Sequence, residues 1–333
     1  MKHLRKNKIL YLYLFGALLL LLSLFAGITL GSTRISLAKL FQAVFGGETG
    51  SARRILLYVR LPRTLAALLA GVALSLAGAV IQGVLKNRLA SPSIIGVNAG
   101  AGLAVTVATV MGIPFGWRIS LFAFLGAFLA VMLVSMGAKR LGASRGTVIL
   151  MGVAMNAILG AFSDTLTVLF PTAAISSIDF RVGSFAAVTY VKLLPASVII
   201  LLGTAALLTL SNTLDVLTLG EDHARGLGLR TDLMRVLFLL LAAALAGAAV
   251  SLAGLLSFVG LLVPHAVRRL SGGGRHLFPL CILYGGGFVS LSDTLARTLF
   301  APYELPVGII MAFLGAPLFL VILIKRKGGH SHA

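Results

Sequence analysis

The chain has 333 residues, 59% of them hydrophobic, with nine Asp and Glu against twenty-eight Lys and Arg. Charged residues make up 11% of it, where a soluble surface carries roughly a quarter to a third, so a soluble globular protein is excluded. The net charge of +19 sits in small groups between apolar runs, as positive-inside flanks do, and nucleic acid is not an expected partner.

At about 20 apolar residues per crossing, this length accommodates about ten transmembrane helices. An all-α polytopic membrane protein is therefore expected, folded as a single transmembrane domain over 1–333. Lys2, Arg5, Lys6 and Lys8 precede an apolar run from Ile9 to about Leu30. That run exceeds the roughly 7–15 residues of a signal h-region and ends without an A-x-A site, so it is predicted as a retained first span that starts inside. Further spans are predicted near 63–85, 94–113, 117–138, 146–170 and 192–210. Asp164 lies within the fifth. An intramembrane carboxylate suggests a proton or cation site, and a hydrogen-bonded residue near the outer helix end is the plainer alternative.

Residues 212–235, NTLDVLTLGEDHARGLGLRTDLMR, are the longest predicted cytoplasmic stretch. They are polar yet periodic: Leu214, Leu217 and Leu219 precede Gly220, a short helix is expected from Glu221 to Arg225, and Gly226 and Gly228 end it. Two short helices joined by glycine make a compact knob, and exposed leucines beside acids and arginines fit a docking surface better than a membrane-surface helix. The following run from Leu233 to Val263 would measure about 46 Å as one helix, too long for a ~30 Å hydrocarbon core. Its glycines at 247, 254 and 260 and Pro264 point to a fold-back into 233–256 and 257–270. His265, near the end of this run, is expected to be structural. The last spans fall near 276–299 and 306–324, and there Asp293 and Arg297 share a helix face at i,i+4. Cys281, the only cysteine, lies in the ninth run, which excludes an internal disulfide.

Ten crossings put both termini inside, with eighteen Lys and Arg inside and ten outside, the sign the positive-inside rule requires. An external cluster, Arg53, Arg54, Arg60 and Arg63, runs against the trend. An internal repeat lies at an offset of 176: LAALLAGVALSLAG (65–78) and LAAALAGAAVSLAG (241–254) agree at eleven of fourteen positions. Apolar helices share a small alphabet, so similarity by chance stands beside true repetition. The first copy runs inward and the second outward on this topology, which predicts two inverted halves. Small-residue spacings such as Gly96-x-x-x-Gly100 suit close helix packing.

The phosphate-cradling pattern G-x-x-x-x-G-K-[ST] is absent, as are H-E-x-x-H, G-x-S-x-G and Cys/His metal spacings. The chain is not expected to be an enzyme, to bind ATP by that route, or to hold a metal or other cofactor. A self-sufficient transporter driven by protons through Asp164 is the alternative to a chain powered by a partner.

Four stretches, RLPRTLAALLAGVALSLAGAVIQGVLKNRLASPSIIGVNAGAG (60–102), LGEDHARGLGL (219–229), GLLSFVGLLVPHAVRRLSG (254–272) and LSDTLARTLFAPYELPVGIIMAFLGAPLFLVILIKR (291–326), closely resemble the iron-siderophore, haem and cobalamin uptake permeases of type II ABC importers. The resemblance implies a bacterial inner-membrane, multi-pass subunit that pairs with a second permease copy in a homodimer or a similar heterodimer. Two ATPase subunits, which use ATP and Mg, would bind inside, and an external substrate-binding protein would deliver the cargo. The matching coupling segment is 212–230, with Glu221, Ala224, Gly226 and Gly228 toward the ATPase. Arg60, Arg63 and Arg297 match the family's docking positions for the binding protein, with Asp293 orienting Arg297. The inner gate corresponds to Asn87 through Leu89 and to Ala143 and Ser144. Phe180 and Arg181 stand where the family usually has Trp. Arg181 is a candidate vestibule cation for anionic chelates, or an arginine that snorkels to the interface.

Overall fold

A computed structural model describes residues 2–33, 50–141 and 145–327, and all regular structure among them is helical. The long helices are α1 (Lys2–Thr29), α2 (Leu61–Val84), α3 (Val97–Val110), α4 (Trp117–Arg140), α5 (Arg145–Leu169) and α6 (Tyr190–Thr209). Two short helices follow, α7 (Ser211–Leu219) and α8 (Glu221–Gly226), then α9 (Thr231–Ala253), α10 (Val259–Ser271), α11 (Leu277–Thr298) and α12 (Val307–Lys327). Each of the ten predicted apolar segments carries one of these helices. Among the described residues, seven stretches are long and apolar enough to cross a membrane, while α3, α10 and the apolar part of α12 are shorter.

The helix α2 is the axis. It is entered through a short helix (Ser51–Ile55) and a π-helical turn (Leu56–Arg60), and almost every side chain from Pro62 to Val84 is buried. Its Ala/Gly-rich sequence explains this position, because in lipid there is no hydrophobic drive between helices and association relies on close van der Waals approach. Gly71 sits against the backbone of Gly285 in α11, and Gly78 against the carbonyl of Gly260 in α10. Ser75 donates from Oγ to the Cys281 carbonyl at 2.9 Å, and Gln82 Nε2 donates to the Leu261 carbonyl at 3.1 Å. In α3, Gly100 meets the Gly126 carbonyl of α4, while Gly96 takes φ 97° at the start of the helix. The two glycines of the predicted G-x-x-x-G pair thus do different work: one allows close approach and the other a left-handed turn.

The repeat copies pack against each other as α2 and α9. The end of α2, at Gly83, abuts Leu214 of α7, and α9 begins beside α8, where Arg225 Nε donates to Thr231 Oγ1 at 3.2 Å. The start of one copy therefore lies with the end of the other. The copies also diverge. Gly78 lies within α2, whereas the equivalent Gly254, at φ 74°, ends α9.

From Gly254 the chain is non-helical until Phe258, itself left-handed at φ 67°. The predicted span at 257–270 is accordingly a helix of 13 residues, about 20 Å long and too short to cross alone. Such a break is tolerated at membrane depth only inside protein or along a cavity. Here Leu255 N–H donates to the Phe180 carbonyl at 2.8 Å, and Ser184 N–H to the Ala253 carbonyl at 2.7 Å. A second break precedes α3, where a 3₁₀ turn (Pro92–Ile95) places Pro92 against Gly260 and Asn156 Nδ2 donates to the Ser93 carbonyl at 2.9 Å.

Replacing Gly78 by Ala drives a methyl into the Gly260 carbonyl, and overpacking of this kind costs about 1–3 kcal/mol. Gly160→Ala adds a methyl with open space around it. Thermal unfolding in detergent should show a lowered Tm for the first variant and an unchanged one for the second.

Candidate functional site

Four regions carry the polar chemistry of this otherwise apolar molecule. At the start of α2 and the end of α11, Arg63 clasps Asp293: Nε and Nη2 donate to Oδ1 at 3.1 and 3.0 Å, and Nη1 reaches Glu304. Arg297 Nε lies 3.2 Å from Asp293 Oδ2, and its Nη2 donates to the Gly27 carbonyl at 3.1 Å. Arg60 donates to the carbonyls of Ile28, Thr29 and Thr33 at 3.0, 2.6 and 2.6 Å. It thereby satisfies groups that the end of α1 leaves unpaired. Ser32 Oγ closes the ring by donating to Glu304 Oε1 at 2.7 Å.

Arg60, Arg63 and Arg297, which match the family's docking positions, are turned inward. They are 3%, 4% and 3% exposed, with Asp293 at 0%. Their guanidinium groups are drawn inward by carboxylates and helix-end carbonyls, the partners that make burial of charge tolerable. The i,i+4 pairing of Asp293 with Arg297 is present, but Asp293 is bound at least as closely by Arg63. Sequence reading missed Glu304 and Ser32, which no local spacing connects to partners some 240 to 270 residues away. On the same rim Arg54 is exposed and Tyr303 is 80% exposed.

At the opposite end of α2, α7 and α8 meet at Gly220, whose conformation at φ 147° suits glycine. Leu214 and Leu217 are buried beneath the knob, while Leu219 and Leu227 are 66% and 69% exposed. Gly226 and Gly228 face open space, and Gly228 takes φ 80°. Glu221 opens α8. Ala224 is fully buried and its carbonyl accepts from Leu229 N–H at 3.0 Å, so it packs within the knob.

Nearby, Asn87 Oδ1 accepts from Leu89 N–H at 2.9 Å, a local turn that leaves Leu89 exposed. Ala143 and Ser144 lie outside the described residues. Between the Pro92 turn, α3 and α5 a cavity of about 610 Å³ is lined by Asn98, Asn156, Ser163, Asp164 and Arg181 among others. Arg181 Nη2 donates to Ser163 Oγ at 3.1 Å and to Thr167 Oγ1 at 2.9 Å, which fixes the guanidinium at the cavity wall. Asp164 and Arg181, both singled out in the sequence, line this cavity, and Asn156, a lone amide in MGVAMNAILG, was a further signal for it.

These features, a small-residue axis, two broken helices beside a cavity with a few polar groups on an apolar wall, and a glycine-jointed knob, are those of a transport subunit. The sequence profile of the FecCD transport family matches residues 18–325. The chain belongs to this family. It is 35% identical to the hemin transport system permease protein HmuU of Yersinia pestis over 321 residues, 94% of this chain and 95% of that protein. It is 34% identical to the ferric enterobactin transport system permease protein FepG of Escherichia coli, covering 90% of this chain and 92% of that protein. A solved ABC transporter of the "metal-chelate type", in an inward-facing conformation, superposes with a TM-score of 0.82 at 30% identity over 94% of this chain and 98% of that one. As a FecCD permease the chain is a multi-pass plasma-membrane protein and not an enzyme. ATPases are separate subunits in this family, and the family does not favour a proton-driven transporter built on Asp164.

Two outcomes follow from this charge cluster. Asp293→Asn strips the arginines of their shared carboxylate, and breaking a buried pair costs about 3–5 kcal/mol; the measurable result is a large fall in Tm. Burial alone would raise the pKa of Glu304, but hydrogen bonds from Arg63 and Ser32, with the charges of Arg63 and Arg297, outweigh it and hold the carboxyl below the usual value of 4.5. Its contribution is full above that value and is lost as pH falls through the lowered one. Glu304→Gln should therefore lower Tm at neutral pH and flatten the acid limb of a Tm-against-pH curve.

Proposed function

We propose that the chain is the permease subunit of an ATP-driven importer for an iron chelate, a siderophore, haem or a related metal complex such as cobalamin. Two copies enclose a central pathway, two ATPases bind the knob, and a substrate-binding protein delivers cargo at the rim around Arg63. The observation that carries this reading is the knob itself: α7 is anchored by Leu214 and Leu217 under the end of the central helix, with Leu219 and Leu227 turned outward. Motion imposed on the knob has a direct route into the core.

On this reading the membrane is crossed ten times with both termini cytoplasmic. The antiparallel packing of α2 on α9 supports two inverted halves. The breaks before α3 and α10 meet near mid-membrane, where discontinuous helices in transporters border the pathway. Arg181 faces that pathway and favours anionic chelates, because a guanidinium pairs well with carboxylate or catecholate oxygens. Asn87 and Leu89 belong to the inner constriction. Glu221, Gly226 and Gly228 lie on the ATPase-facing side, with Ala224 supporting them from beneath. Docking of the binding protein then falls to exposed groups such as Arg54 and Tyr303, which the buried arginine network holds in place.

The test is reconstitution in vesicles with the partner ATPases and binding protein. Uptake should require ATP, and Leu219→Glu with Leu227→Glu should reduce it at least about tenfold, the range expected for loss of interface anchors, while Tm is retained. Uptake driven by a pH gradient in the absence of ATPases would overturn the proposal. Arg181→Gln should slow import of a carboxylate or catecholate chelate more than that of an uncharged one in the same assay.

A further inference from the structure

Below the core contacts of α9, the structure has a second large cavity, whose rim adjoins the knob. It measures about 630 Å³ and lies between the last turn of α4 and the first turns of α9, within the roughly 300–1,000 Å³ of small-molecule sites. Its rim is basic, formed by Lys139, Arg225 and Arg230, and its wall is apolar, formed by Leu233, Leu237 and Leu240. Those wall positions follow helical spacing on one face of α9. The opposite face, with Ala242, Ala246 and Ala249, is buried in the core. Asp232, the carboxylate among the lining residues, lies 3.6 Å from Arg225 Nη2 and 3.9 Å from Arg235 Nη1, so its charge is already matched. The rim remains net positive, and the wall begins within a few residues of it.

This order, cations at the helix ends and then a strip of leucine running along a membrane helix, matches a molecule with a negative head and an apolar tail. A soluble anion would leave the wall unused. A second copy of the chain placed there by a two-fold axis would bring the same cations face to face. We propose that this groove binds an anionic phospholipid of the cytoplasmic leaflet, phosphate at Lys139 and Arg230 and acyl chain along Leu233, Leu237 and Leu240. The leaflet follows from the topology proposed above, while the site rests on the groove. Because Arg225 belongs to α8, the headgroup touches the segment that would receive ATPase motion, so the lipid would brace the knob against the end of α4.

The full-length permease in detergent, titrated with phosphatidylglycerol or phosphatidylcholine and observed by native mass spectrometry, tests this. Phosphatidylglycerol should be retained and phosphatidylcholine much more weakly. At about 1 kcal/mol for each basic residue at a membrane surface, Lys139→Gln should weaken retention about fivefold and the Lys139→Gln/Arg230→Gln pair about thirtyfold. Leu237→Trp, which fills the wall without altering charge, should also weaken it, and Arg269→Gln, an exposed cation on α10, should not. Tm recorded for each variant separates lost binding from lost folding. Equal retention of the two lipids, equal losses from Arg269→Gln and the rim variants, or displacement of the lipid by millimolar inorganic phosphate would each overturn the proposal. The readout needs neither ATPase nor cargo, so it stands apart from any failure of the importer reading, which would show as uptake without ATP.

Discussion

The architecture depends on backbone-to-backbone approach along α2. Residues 71 and 78 are Gly and bring the backbone of the central helix directly against α11 and α10, and between them the small Ser75 bonds the Cys281 carbonyl through its Oγ. In a bilayer, where the surrounding solvent is as apolar as leucine, this contact replaces the hydrophobic effect as the source of specificity. Once α2 is enclosed, the irregular backbone at Gly254–Phe258 and Pro92–Ile95 has protein around it. Its polar groups can then be satisfied by Phe180 and Asn156 rather than by lipid.

Charge plays a complementary part at one end of that axis. Three arginines converge on Asp293, Glu304 and the carbonyls at the end of α1. The energetic weight of such a cluster lies less in attraction than in the penalty for removing any member once the others are desolvated. It joins the ends of α1, α2 and α11 and the 299–306 loop in one network, and so fixes the geometry of the surface above it.

Much of this was legible in the sequence. Ten apolar runs predicted ten helical segments, and the glycines and alanines of 65–78 signalled a helix made for close packing. The knob at 212–230 was readable from Gly220, Gly226 and Gly228, whose spacing marked its joints. Other features were not. Gly78 and Gly254 sit in matching sequence, yet one continues a helix and the other ends it, because the difference lies in what each meets: the Gly260 carbonyl or the backbone of Phe180. Arginine burial was equally hidden, since Glu304 and Asp293 approach Arg63 only through the tertiary fold. The exposure of the arginines is a property of side-chain direction, which one-dimensional spacing does not encode. The cavity beside Arg181 draws on several separate stretches of chain, so no single motif announced it.

The tight seam between α2, α10 and α11 has a mechanical corollary. Where the helices touch backbone to backbone, at Gly71–Gly285 and Gly78–Gly260, no side chain lies between them to yield, so the seam resists sliding at those points. The apolar stretch of α5, with 17% of its residues buried, has no comparable enclosure.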